Sequence, residues 1–168
     1  YGNRAHADRK LAEERLLRTV AETVDKKGRV LIPAFAIGRA QEVLLVLRDA
    51  IRHGRIPRVP ILVDGMVRSV CGAYPMHERY LAPGVQRLIR SEGHPFFNAD
   101  IRAVGDSSDR RQVASGGPCV VISSSGMLTG GPSSFYASEF APNERDAILI
   151  TGYQDEESPG RALLNLLK

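Results

Sequence analysis

The sequence predicts an α/β domain, a three-layer sandwich with a mainly parallel central sheet and helices on both faces. Short apolar runs alternate with amphipathic segments of helical period along the whole chain. The runs RVLIPAF, VPILVDG, CVVIS and AILIT lack polar alternation, the pattern of strands covered on both faces. A chain of 168 residues, 43% of them hydrophobic, is enough for one ordinary domain with a real core. No internal repeat, low-complexity segment or linker divides it, so residues 1–168 read as a single domain.

From His6 to Asp25 the apolar residues Leu16, Leu17, Val20, Ala21 and Val24 recur at helical spacing, with Glu14, Arg18 and Glu22 turned the other way. That helix ends near Gly28. RVLIPAF follows as a strand, then Gly38, then a helix from Arg39 to His53 that is apolar nearly all round at Leu44 to Leu47 and therefore covered on more than one side. Val59 to Gly65 reads as a strand and Met66 to Tyr80 as a helix, bent or interrupted at Pro75. Ala82 to Phe97 is ambiguous, with Val85, Leu88 and Ile89 at helical spacing ahead of the loop HPFF. Ile101 to Val104 reads as a short strand, Ser107 to Ala114 as a short polar helix and Cys119 to Ser123 as a buried strand. Pro132 to Phe140 reads as a helix, Ala147 to Thr151 as a strand and Gly160 to Leu167 as the start of a last helix. The chain opens at Tyr1 without a methionine and stops inside that helix at Lys168, as a piece of a longer protein would.

Charged residues make up 25% of the chain and are spread along it, which excludes a disordered tail. Apolar runs of about five residues, as at Val43 to Leu47, fall far short of the roughly 20 needed to cross a bilayer. No signal peptide is expected. Cys71 and Cys119 lie far apart without Cys-x-x-Cys spacing, which argues against a disulfide framework or a thiolate zinc site and suits a reducing, cytoplasmic setting. Lysine and arginine number 23 against 19 acids, a formal charge of +4. The lysines are only Lys10, Lys26, Lys27 and Lys168. The arginine bias supplies planar donor forks suited to phosphate, in keeping with a nucleic-acid partner, although an arginine-rich proteome gives the same count.

In parallel sheets, ligands gather at the carboxyl ends of the strands, where loops converge and helix N-termini offer unpaired N–H groups. This selects Ala34 to Arg39, Asp64 with Gly65, Ser123 to Gly131, and Thr151 to Arg161. Ser123, Ser124, Ser125 and Gly126, followed by Gly130, Gly131 and Ser133, combine hydroxyls with glycines that let backbone approach an oxyanion or phosphate. Helix-capping serines are the blander use of the same residues. A Walker ending is missing, and so is the Gly-x-Ser-x-Gly of a nucleophile elbow. Arg39 could reach across the crevice or pair with Glu42, Asp64 or a neighbouring loop. Asp64 could orient an arginine, bind a metal or cap the next helix. Tyr1-Gly2-Asn3-Arg4 offers an aromatic face and an arginine to a nucleotide. His6, His53, His77 and His94 have no metal-ligand spacing, so neither a metal site nor a catalytic constellation is expected within the chain.

Taken together, YGNRAHADR at Tyr1 to Arg9, VLIPAFAIGRAQEVL at Val30 to Leu44, VISSSGMLTGGPSSFY at Val121 to Tyr136 and GYQDEESPGR at Gly152 to Arg161 are specific. In order and spacing they resemble the β-CASP domain of metallo-β-lactamase-fold nucleases, the RNA-processing enzymes related to the endonuclease subunit of the cleavage and polyadenylation machinery. The likeness implies an α/β insertion within a metallo-β-lactamase domain, with RNA entering the cleft between the two. It also implies two zinc ions, held by a His-x-His-x-Asp-His motif and later histidines that this chain does not contain. The implied partners are single-stranded RNA and the metallo-β-lactamase domain of the same chain, and a homo-oligomer is allowed. On this reading Arg4, Arg39, Ser124, Ser125, Gly126 and Arg161 hold backbone phosphates, and Tyr1 or Tyr153 packs on a sugar or base. Those individual roles follow from the position of the residues at the carboxyl ends and go beyond the motif match.

One departure stands out: the family's Gly-Thr pair before the last glycine-arginine is replaced by Glu157-Ser158-Pro159. Two other readings remain open at this level. One is a freestanding α/β module that binds a nucleotide or another phosphorylated small molecule through the serine-glycine loop. The other is a catalytically silent scaffold. A His-x-His-x-Asp-His motif in flanking sequence separates the nuclease from both.

Overall fold

A computed structural model describes residues 8–166. Five strands form one sheet: β1 (Val30–Pro33), β2 (Ile61–Asp64), β3 (Ile101–Ala103), β4 (Val120–Ser123) and β5 (Ala147–Ile148). Every pairing is parallel, in the order β3-β2-β4-β1-β5. The α-helices are α1 (Arg9–Asp25), α2 (Arg39–Arg52), α3 (Met66–Ala73), α4 (Pro83–Glu92), α5 (Ser107–Ser115), α6 (Gly131–Phe140) and α7 (Pro159–Asn165). The α/β class with a parallel sheet is as the sequence predicts.

The period-2 alternation of each strand sorts its side chains between two cores. Val30, Ile32, Ile61, Val63, Val120 and Ile122 face α1, α2 and α3, meeting Leu17, Val20, Leu44, Leu47 and Val67. Leu31, Leu62 and Val121 face α5 and α6, meeting Val113, Tyr136 and Phe140. These are the three expected layers. Both thiols are buried in them, and burial pushes Cys71 and Cys119 up to about 11 each.

The interruption expected at Pro75 is present, and the departures from the sequence reading have identifiable causes. α3 stops at Ala73 because Pro75 lacks the N–H that would continue it, and a 3-10 segment takes over from Tyr74 to Tyr80. The ambiguous stretch is a helix, α4, with none of its side chains fully buried. β5 is shorter than AILIT. The Leu149 N–H donates to Leu31 O at 2.8 Å, and the next bond in the ladder would need an N–H from Pro33, which has none.

Two arginine clamps fix the periphery. Arg29 holds β5 beside β1, its backbone N–H and Nε donating to the Asp146 carboxylate at 2.7 and 2.9 Å, while its guanidinium lies 4.4 Å from the Phe140 ring centroid. Arg48 ties α2 to the loop before β3 by donating to His94 O at 2.9 Å and Pro95 O at 2.6 Å. His94 Nδ1 in turn accepts from the Phe96 and Phe97 N–H groups, and burial, then the charge of Arg48, lowers its pKa.

Candidate nucleic-acid interface

All five strands deliver their carboxyl ends to one edge, and β4 occupies a special place there. The helices that follow its neighbours β1 and β2 turn to one face of the sheet, whereas α6, which follows β4, turns to the other. The chain therefore diverges on both sides of the β4 exit, opening a crevice at the segment Ser123 to Gly131.

Short bonds shape that segment. Ser124 Oγ accepts from the Met66 N–H at the start of α3 at 3.0 Å. Ser125 Oγ accepts from the Thr129 N–H at 3.0 Å and sits 2.9 Å from Thr129 Oγ1. Ser133 Oγ donates to Ser125 O at 2.7 Å, closing the loop onto α6. The helix-capping use of serine is thus present at Ser124, which bridges β4 to α3, while Ser125 is bonded within its own loop. Glycines permit the fit. At φ +70°, Gly65 adopts backbone that a side chain disfavours, and a Cβ there would lie 2.6 Å from Ser124 Oγ. A Cβ on Gly126 would lie 2.8 Å from Phe35 N.

Beneath the loop lies Asp64, 1% exposed. On β2 it shares the face of Leu62, which aims it at α5 and α6. Its carboxylate accepts from Arg110 Nε at 2.7 Å and from a terminal nitrogen of Arg110 at 3.0 Å, from the Tyr136 hydroxyl at 3.0 Å and from the Gly65 N–H at 2.6 Å. Burial, then the neighbouring carboxylate, raises the Tyr136 pKa far above its usual value, so the phenol stays protonated and donates. Of the uses open to Asp64 in the sequence, orienting an arginine is the one found. Arg110 carried no sequence signal and Tyr136, though it ends the motif Val121 to Tyr136, was given no role, since their meeting depends on two helices brought together only by the fold.

The loop after β5 docks on the serine loop. Gln154 Nε2 donates to Gly126 O at 2.9 Å and the Gly160 N–H to Met127 O at 3.1 Å. Arg161 donates from a terminal nitrogen to Gln154 O at 2.8 Å, and Ser158 caps α7 by accepting from the Arg161 N–H at 3.2 Å. Ser158 thus gives the departing sequence an ordinary helix start. Among the described residues, the buried atoms Thr151 Oγ1, Gln154 Oε1 and Arg161 Nε, in this loop and the first turn of α7, have no hydrogen-bond partner in the chain.

Ser124, Ser125, Gly126 and Arg161 therefore belong to one bonded assembly, and Tyr153, about half exposed, lies in it next to Gln154. Arg39 stands apart. It is exposed, donates to Glu42 at 2.7 Å, and lines a groove of about 700 Å³ between α1, α2 and the end of β5, which Thr151 also borders. Its pairing with Glu42 was one of the uses open in the sequence, and it makes no bond to Asp64. Tyr1 and Arg4 lie outside the described residues. Among the described residues no group of three or more His, Cys, Asp or Glu side chains is placed to hold a metal ion, so these residues do not fit zinc. No described helix is long and apolar enough to cross a membrane.

The fold and this edge define a three-layer parallel α/β domain whose polar loops converge at one switch point. The sequence profile of the Beta-Casp domain matches residues 40–163, and the chain belongs to that family. It is similar to the transcription termination factor FttA of Methanocaldococcus jannaschii, 43% identical over 156 residues that make up 92% of this chain and 24% of that protein. FttA of Thermococcus kodakarensis is 39% identical over 155 residues, 91% of this chain and 24% of its own length. An RNase J-like protein of M. jannaschii is 35% identical over 155 residues, 92% of this chain and 35% of that protein. The chain thus spans about a quarter of the FttA relatives and about a third of the RNase J-like protein.

Proposed function

We propose that this chain is the substrate-clamping wall of a longer metal-dependent ribonuclease and that it grips the backbone of single-stranded RNA at the carboxyl edge of the sheet. The observation that carries the reading is the docked pair of loops, Ser124 to Gly126 with Gln154 to Arg161, at the switch point of a Beta-Casp domain. Hydroxyls, glycine backbone that lets a ligand approach closely and an arginine guanidinium are the groups a phosphate recruits. Cleavage belongs to a metallo-β-lactamase domain elsewhere in such a chain. Two zinc ions there would activate water and stabilise charge on the phosphate. Relatives several times longer than this chain support that division and lend nothing to a freestanding small-molecule module.

The test is a titration of the chain with labelled single-stranded RNA at two or more ionic strengths. Weak binding is expected, with log affinity falling against log salt by about 0.7 per phosphate engaged. Arg39, which begins the helix after β1 at the same edge but outside the docked loops, is assigned one flanking phosphate contact, so Arg39→Ala should remove about one such increment while costing at most about 1 kcal/mol of stability, because its ion pair with Glu42 is exposed. Tight, salt-insensitive binding, or a sharply destabilised Arg39→Ala protein with an unchanged slope, contradicts the assignment.

A further inference from the structure

Phe35, two residues after β1, is 40% exposed although it is a large apolar side chain at a strand exit. A Cβ on Gly126 would lie 3.0 Å from its Cδ2, and a Cβ on Gly152 would lie 3.5 Å from its Cδ2 and Cε2. The ring therefore lies along two glycine backbones, one from each of the docked loops, with no side chain between. Held at its Cδ2–Cε2 edge and 40% exposed overall, the ring leaves aromatic surface open beside Gly126, the neighbour of Ser125. No described aromatic ring packs on it.

We propose that Phe35 is the platform on which a nucleobase of the bound strand stacks, so that the edge reads a base face as well as phosphates. This rests on the RNA reading above. Stacking needs a rigid, open aromatic face beside groups that hold the sugar-phosphate chain, and the two glycines supply the rigidity while the serine loop supplies the neighbours. Every base has a π face, so the contact favours single-stranded RNA without selecting a sequence. A protein surface packing on Phe35 would use its apolar bulk, which leucine retains; a base would use its flatness, which leucine loses.

The chain has no tryptophan, so Phe35→Trp installs a single fluorescent reporter at the platform. Wild type, Phe35→Leu and Phe35→Trp are each titrated with a short oligouridylate and with an abasic ribose-phosphate strand of equal length, after thermal melts confirm that each is folded. Wild type should prefer the base-bearing strand by about tenfold. Phe35→Leu should lose that preference while keeping wild-type affinity for the abasic strand, and Phe35→Trp should keep the preference and be quenched by the base-bearing strand alone. A Phe35→Leu protein that binds oligouridylate as wild type does refutes the stack and leaves backbone gripping intact, pointing to a protein on this surface. Equal losses on both strands also refute it, since the ring then only supports the loop. Wild type binding neither strand overturns RNA binding and the stack together.

Discussion

Replacing Asp64 by alanine is expected to lower the unfolding free energy by about 3 kcal/mol, the lower end of what breaking a buried ionic network costs. The carboxylate receives four hydrogen bonds while 1% exposed, and its loss strips partners unequally. Arg110, with 26% of its side chain exposed, can turn toward water. The Tyr136 hydroxyl, on a residue with no exposure, cannot, and its desolvation is left without a bond. The cavity left by the carboxyl adds to the cost. Urea unfolding followed by circular dichroism measures this, and a loss under about 1 kcal/mol contradicts Asp64 as the support of the edge.

Gly126→Ala is expected to impair both stability and RNA affinity. The new methyl group would stand 2.8 Å from Phe35 N and 3.0 Å from the Ala34 carbonyl carbon, backbone held to β4 by the Ala34 N–H donating to Ser123 O at 2.9 Å. With the strand unable to yield, the serine loop must move. Movement there breaks the bond from Gln154 to Gly126 and unseats the second loop. Overpacking of this kind costs about 1–3 kcal/mol. RNA binding by the folded fraction should fall with it. Gly117→Ala, where a Cβ meets nothing within 4 Å, is the matched control and should change neither. Intact RNA affinity in a folded Gly126→Ala protein would separate the serine loop from binding.

Much of the architecture could be read from the residues because hydrophobic burial is periodic. The strands at Val30, Ile61 and Val120 show as unbroken apolar runs because helices cover both sheet faces. α4 was ambiguous for a matching reason: Val85, Leu88 and Ile89 are only half-buried, so the apolar stripe is real but weakly committed. The candidate site divides in the same way. Its loops were found from position alone, since parallel strands send their exits to one edge. Its supports, Arg110 and Tyr136 under Asp64 and Gln154 under Gly126, were not, because each pairs residues 28 to 72 positions apart through side chains that carry no periodic signal. Phe35 lay hidden inside an apolar string, where the sequence reads it as core.

Binding at the carboxyl edge is tested most directly by recording amide shifts of the isotope-labelled chain during titration with a short single-stranded oligoribonucleotide. The expected footprint covers Phe35, Arg39, Gly65, Ser124 to Gly131 and Gly152 to Arg161, while the amides of Gly28, Gly116, Gly117 and Arg145 at the amino edge stay fixed. Shifts concentrated at the amino edge, or a titration that moves no amide of the serine loop, would contradict it.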